Sequence, residues 1–237
     1  MKNYLNLYTS GEYFKKNPTF DKEDSPWKSK QLFELYKKQN IHELKTISEV
    51  GCGSGEVLSN FSKYIKDDRI QYFGFDISPQ AIEMANNLIS EKKLNNFVYK
   101  LGSIPDLESD LLLCVDVFEH IEDEFRFLRD IKAKSKYFLF NIPLDLSVQS
   151  LLREHIILSQ RERVGHINYY TKSLALKTLK DTGFEIVGVE YGRWYKHYKA
   201  ESITTKMVNV IRNILMPILP DFCVKVFGGS SLLVLAK

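Results

Sequence analysis

Cysteine is scarce in this chain. Three occur in 237 residues, and Cys52, Cys114 and Cys223 lie far apart. An odd, dispersed set supports neither a disulfide framework nor a zinc-ligand spacing, and no metal ligand is assigned from the sequence. A reducing cytoplasm is the simplest expected setting. Charge of one sign is lacking too. The 33 basic and 30 acidic residues leave a net charge of +3, and the basic residues are spread along the chain. That argues against a nucleic-acid partner, which needs a concentrated basic face. Long apolar runs are also missing. A membrane span needs roughly 20 apolar residues, and the most apolar region, 211–236, is broken by Arg212, Pro217, Pro220, Asp221, Lys225 and two glycines. The start, Met1-Lys2-Asn3-Tyr4-Leu5-Asn6, has no apolar core of a secretion signal. No internal repeat stands out.

What is present suits one globular domain with a large core: 44% hydrophobic and 27% charged residues. Short apolar runs alternate with amphipathic stretches, the pattern of an α/β sheet with crossover helices. Strands are predicted at 45–50, 71–75, 97–101, 111–115, 137–142, 184–191 and 232–236. The run Leu111-Leu112-Leu113-Cys114-Val115 reads as a strand buried on both faces. Helices are predicted from about Ser25-Pro26, from Gly55 and from Pro79 behind a Ser78 cap. Others carry Phe125, Leu128 and Ile131, or run from a Thr171 cap to a stop at Gly183. Residues 1–44 form an N-terminal helical cap and 45–191 the core. Two long connections, 143–170 and 192–229, have the length of lids or binding elements.

The chemistry concentrates after the first strand. Gly51, Gly53 and Gly55 follow it directly and open a helix. There backbone can pass close to a ligand and offer N–H groups at a helix N-terminus. A dinucleotide fingerprint would place its third glycine at position 56, which is Glu56, and no phosphate-loop G-K-[ST] follows. Glu49 would oppose a pyrophosphate but suits the cationic amino group of a methionine moiety. Asp76 closes the second strand, where a carboxylate can accept from two ribose hydroxyls. Ile77 offers a face to adenine, Ser103 and Ile104 can flank the base, and Asp116 and Val117 can line the floor.

These segments, in order, resemble class I S-adenosylmethionine-dependent methyltransferases. Residues 47–58 look like that family's first motif. Phe73-Gly74-Phe75-Asp76-Ile77-Ser78-Pro79 looks like its second. Asp116-Val117-Phe118-Glu119-His120-Ile121 and Gly165-His166-Ile167-Asn168-Tyr169-Tyr170-Thr171 resemble landmarks of the subgroup containing quinone-biosynthesis enzymes. Residues 17–28 resemble the N-terminal stretch of some glycan-linked bacterial methyltransferases. The resemblance implies a Rossmann-like seven-stranded sheet, mostly parallel with an antiparallel last strand and helices on both faces. It implies S-adenosylmethionine as cofactor and S-adenosylhomocysteine as product. Cofactor contacts are then expected from Glu49, Gly51, Cys52, Gly53, Gly55, Asp76, Ile77, Ser103, Ile104, Asp116 and Val117. Lys28, beside Trp27, is expected near the cofactor carboxylate.

A hydroxyl acceptor must lose a proton, and His120 or His166 is the expected general base. Each residue also has a plainer role available. Asp76 can cap a helix, Glu49 can brace the glycine loop, His120 can pack under it, and His166 can steady a turn. Trp27 and Lys28 can be an ordinary helix start. Residues 151–158 lie over the acceptor or form a packed helix. Residues 207–227 meet a lipid interface, pack on the sheet edge or meet a second subunit, so peripheral membrane contact and a homodimer stay open. The expected reaction is O-methylation of a small acceptor, a sugar or glycolipid precursor that can be lipid- or polyprenol-linked. Alternatives are a quinone-type ring, an RNA, a non-catalytic cofactor-binding module and a nicotinamide oxidoreductase.

Overall fold

A computed structural model describes residues 4–39, 41, 43–197 and 202–237. Residues Met1, Lys2 and Asn3 of the start, and residues 198–201 of the second insertion, lie outside the described residues. The described chain builds a seven-stranded sheet. Its strands are β1 (Thr46–Val50), β2 (Gln71–Asp76), β3 (Phe97–Leu101), β4 (Ser109–Val115), β5 (Ser135–Pro143), β6 (Ile186–Gly192) and β7 (Ser231–Ala236). The order is β3-β2-β1-β4-β5-β7-β6. The β1, β2, β3, β4 and β5 pairs are parallel, and β7 runs antiparallel to both β5 and β6. The expected fold class is therefore the observed one.

The helices are α1 (Tyr4–Thr9), α2 (Glu12–Lys16), α3 (Ser25–Lys37), α4 (Glu56–Ile65), α5 (Pro79–Lys92) and α6 (Glu124–Lys132). After β5 come α7 (Val148–Leu151), α8 (Glu154–Arg163), α9 (Lys172–Asp181), α10 (Ile203–Leu215) and α11 (Pro220–Phe227). Caps expected from the sequence are in place. Ser78 Oγ accepts from Ala81 N–H and Thr171 Oγ1 from Leu174 N–H. On α6 the buried stripe is Phe127, Leu128 and Ile131 rather than one starting at Phe125, which lies partly exposed under Arg129.

The alternation of side chains along β4 divides the core. Leu111 and Leu113 point to one face with Ile47, Leu58 and Phe61. Leu112 and Cys114 point to the other with Phe138, Phe140 and Leu128. All three cysteines are buried and free. No helix among the described residues is long and apolar enough to cross a membrane.

The sheet order reverses between β1 and β4, and ligands in such sheets sit beyond the strand C-termini at that reversal. The first insertion folds as α7 and α8 over this end. The second was expected to be a lid as well, but none of its described residues lines the cavity found there. The reason is packing. Met216, Cys223 and Val224 are buried in the core with Leu232 and Val234, which ties the segment to the β7 side of the sheet.

Candidate functional site

The turn after β1 is made by three residues in left-handed conformation: Gly51, Gly53 and Gly55. At Gly51, φ is +67°, and a Cβ would collide with Val117 Cγ2. At Gly55 it would lie 2.6 Å from Tyr99 Cζ, because the Tyr99 hydroxyl donates to Gly55 O at 3.0 Å beneath the loop. Gly55 thus belongs to the packed underside, while Gly51, Cys52 and Gly53 face a cavity of about 870 Å³.

Glu49 projects into the same cavity from β1 and is 1% exposed. Its Oε2 has no hydrogen-bond partner among the described residues. Burial pushes its pKa well up, against a hydrogen bond from the Leu58 backbone. Asp76 is held rigidly. Oδ2 accepts from Gly53 N–H at 2.9 Å and Oδ1 from Ser78 N–H at 2.8 Å. Burial raises its pKa as well, with those backbone bonds opposing. Ile77 and Ser103 line the cavity beside it. Ile104 does not, and packs on the core behind.

Asp116 follows β4 with φ +53°, left-handed backbone that aspartate adopts more readily than most residues with a side chain. Oδ1 accepts from Asn141 Nδ2 at 2.8 Å, and Oδ2 pairs with Lys28 Nζ at 2.9 Å. Lys28 also stands 3.9 Å from Asp24. Burial lowers the lysine's pKa, but Asp116, Asp24 and Asp21 outweigh it, so it stays charged. Trp27 stacks on His197 at 5.4 Å. Lys28 is therefore anchored to the β4 end, inside the cavity wall with Val117.

The two histidines meet. Their ring centroids are 4.8 Å apart and nearly perpendicular. His166 Nδ1 lies 2.7 Å from Asp145 Oδ2. His120 Nδ1 lies 2.9 Å from the Tyr8 hydroxyl, which itself donates to Val164 O at 3.3 Å. Burial, then the neighbouring His166, pushes His120 down to about 3, against a bond with the Gly165 backbone. His120 is thus neutral near pH 7. Glu119, next to it, is fully buried.

The cavity brings together Lys28, Glu49, Asp76, Asp116 and both histidines, which the sequence scatters from position 28 to 166. The individual residues of its remaining wall, part of it from the 143–170 connection, were not singled out in the sequence. Tyr8 and Tyr13 arrive on α1 and α2, with Phe20 packed on Tyr13 at 5.5 Å. Asp145 follows β5, and Gln160 and Arg163 come from α8. The one available signal for the N-terminal wall was its aromatic content, Tyr4, Tyr8, Tyr13, Phe14 and Phe20 within twenty residues.

Residues 28–189 match the family model described as methyltransferase domain. The chain belongs to that family. This methyltransferase is 25% identical over 125 residues to an uncharacterized methyltransferase of Schizosaccharomyces pombe, covering 48% of this chain and 44% of that protein. It is 31% identical over 93 residues to ajmaline N-methyltransferase of Rauvolfia serpentina, covering 37% of this chain and 31% of that one. The match thus spans less than half of either relative. Magnesium protoporphyrin IX methyltransferase of Synechocystis, solved with bound SAH, superposes with a TM-score of 0.59 at 14% identity, over 89% of this chain and 82% of that one. At that identity the likeness concerns the fold.

With the family established, the domain is that of an S-adenosylmethionine-dependent methyltransferase, and the residues fit that cofactor. Glu49 has a buried carboxyl oxygen with no partner among the described residues, and at Gly51 a Cβ would collide with Val117. Asp76 stands at the end of the adjacent strand.

Proposed function

We propose that this methyltransferase acts on an oxygen of a small hydroxyl-rich acceptor, a sugar or glycolipid precursor. The observation that carries the proposal is that one cavity has two differently equipped sides. Its sheet side carries Glu49 and Asp76, and its insertion side carries His166, Asp145, Gln160 and Arg163. S-adenosylmethionine supplies the methyl group on a cationic sulfur that becomes neutral when it leaves. Glu49 would hold the amino group, Asp76 the ribose hydroxyls, and Ile77 with Ser103 the adenine. Gly51, Cys52 and Gly53 give close backbone passage, with Val117 beneath. Asp116 and Lys28 hold one another and seal the floor.

Carboxylate, amide and guanidinium groups on the insertion side suit an acceptor with several hydroxyls better than a quinone ring. The acceptor oxygen forms its bond to the methyl carbon as the carbon–sulfur bond breaks, and the sulfur keeps the electron pair. In-line placement is the chief demand on the protein. Of the two histidines, His166 suits proton transfer. Asp145 engages its Nδ1, which leaves Nε2 to take the hydroxyl proton. His120 is too weak a base, and its Nδ1 is engaged by Tyr8.

A lipid-linked acceptor is favoured by α10. Its Ile203, Met207, Val210 and Ile214 recur at helical spacing and are all exposed, an apolar stripe of the kind that lies in a membrane interface.

The test is direct. S-adenosylhomocysteine should bind the purified chain by calorimetry, and Glu49→Gln should weaken it by about tenfold, the scale of one charge-assisted hydrogen bond. Incubation with methyl-labelled cofactor and a fractionated cell extract should place alkali-stable label in sugar or glycolipid fractions. Label in the quinone fraction would replace the acceptor assignment. Binding with no labelled product in any fraction would make the chain a cofactor-binding module.

A further inference from the structure

At the insertion side of the cavity, Glu119, His120 and His166 each offer one ligand atom, and the three atoms lie within 4.8 Å of one another. Neither oxygen of the fully buried Glu119 has a hydrogen-bond partner among the described residues. The neighbours fix which nitrogen of each ring is left over. His166 Nδ1 is held by Asp145 Oδ2 at 2.7 Å, which leaves Nε2. His120 Nδ1 is held by the Tyr8 hydroxyl at 2.9 Å, and its Nε2 stands 3.8 Å from Glu119 Oε1.

Two imidazole nitrogens and a buried carboxyl group whose oxygens have no partner among the described residues therefore converge on one point. A bound cation would bring all three into one coordination sphere. We propose that Glu119, His120 and His166 form a binding site for one divalent transition-metal ion at the acceptor end of the cavity. This rests on reading that end as the acceptor pocket, and it revises the proton step.

The surroundings are those of a metal site. Asp145 on His166 and Tyr8 on His120 hold each ring by the nitrogen away from the ion, as outer partners of metal-bound imidazoles do. The two segments are also stitched together. Ile167 and Asn168 N–H donate to Glu119 O at 2.9 and 3.0 Å, and Asn168 Nδ2 donates to the Phe118 and Ile121 carbonyls. Ligands about 2.1 Å from one ion lie roughly 3–4 Å apart, so small side-chain rotations close the set.

Two nitrogens and one carboxylate favour manganese, iron(II), cobalt or zinc over magnesium, which prefers oxygen throughout. Three protein ligands leave coordination positions for acceptor oxygens. A hydroxyl held there loses its proton to water more readily, keeps the O–H electron pair, and is fixed for attack on the methyl carbon. His166 is then a ligand and no longer the base.

The test uses the full chain, freed of metal by chelator and titrated with cobalt(II), with visible absorption and calorimetry as readouts. One equivalent should bind and produce ligand-field bands. Glu119→Gln and His166→Ala should each weaken binding by about tenfold or more, and Asp145→Asn by a smaller factor. S-adenosylhomocysteine affinity, measured in parallel, should change less than about twofold, which reports that each variant is folded. His166→Ala, at the cavity wall, serves if the buried Glu119 variant does not fold. No bound equivalent, or binding undiminished in His166→Ala, would overturn the site. A chain that binds S-adenosylhomocysteine but no ion loses only this inference. A chain that binds the ion but not S-adenosylhomocysteine keeps the ion site and loses the cofactor assignment.

Discussion

Gly51 and Asp116 hold left-handed backbone at the ends of the two strands that flank the sheet's reversal, with φ of +67° and +53°. Gly51 is pinned by the β4 loop, since the place of its Cβ is filled by Val117, and Asp116 is held by Asn141 and Lys28. A side chain at Gly51 meets two penalties, backbone strain and displacement of Val117. Gly183 offers a comparison. Its φ is +96°, but a Cβ there would meet nothing within 4 Å. Gly183→Ala should therefore cost only the backbone term, about 1–2 kcal/mol, and leave S-adenosylhomocysteine affinity as it was. Gly51→Ala should cost about 1–3 kcal/mol and also weaken that affinity by more than about tenfold, because Val117 must move into the cavity. Thermal unfolding and calorimetry on the two variants separate strain from site. Equal affinities in both would remove the close-passage role of Gly51.

At the scale of elements, the sheet was legible, while the short helices inside the N-terminal cap were not. Strand β4 shows why the first holds. Five consecutive apolar residues between two aspartates leave little room for another element, and the strand proved only two residues longer than predicted. Strand β3 falls where its aromatic and β-branched run starts and stops. Helices α1 and α2 went unread because six and five residues are too short to be stable alone and show no apolar period. Contacts far along the chain hold them instead: Tyr8 on His120, and Lys16 Nζ on the Glu162 carbonyl. Asp145 was missed for the same reason, since its meaning comes from a histidine 21 residues away. The approach of His166 to Glu119 and His120 is likewise a tertiary fact, since the chain brings it back from a different connection. The cap should accordingly behave as a local unit. Tyr13 is packed between Tyr8 and Phe20 at 4.8 and 5.5 Å. Tyr13→Ala should release α1 and α2 at a local cost of about 3 kcal/mol. Hydrogen exchange should quicken across residues 4–24 while β1, β4 and β5 keep their protection. Equal loss of protection in the sheet would show that the cap and the sheet unfold together.

Across the whole molecule, stability and chemistry sit at opposite ends of the same strands. The cavity lies at the C-terminal ends of β1 and β4. At the opposite end, Asp110 accepts from the Lys45 and Thr46 N–H groups at 2.8 and 3.1 Å and pairs with Lys136 Nζ at 2.7 Å, joining β1, β4 and β5. Burial pushes the Asp110 carboxyl up, but Lys136 and the two backbone donors outweigh it and hold it at about 2. A folded pKa below the unfolded value means that the contribution is complete above about pH 4 and fades as pH falls through about 2. The shift corresponds to at most about 2.5 kcal/mol at 1.36 kcal/mol per unit. Lys136 is largely exposed, so solvent screening reduces this to about 1–2 kcal/mol. Asp110→Asn should therefore lower stability by about that amount at pH 7 and flatten the loss between pH 4 and 2, read from denaturant midpoints across that range. Affinity for S-adenosylhomocysteine at pH 7 should stay within about twofold, because among the described residues Asp110 bonds to Lys45, Thr46 and Lys136, all at the end away from the cavity. A variant that lost affinity in step with stability would mean that the two ends of the sheet are coupled. The glycine turn would then depend on strand register at the far end as well as on its own packing.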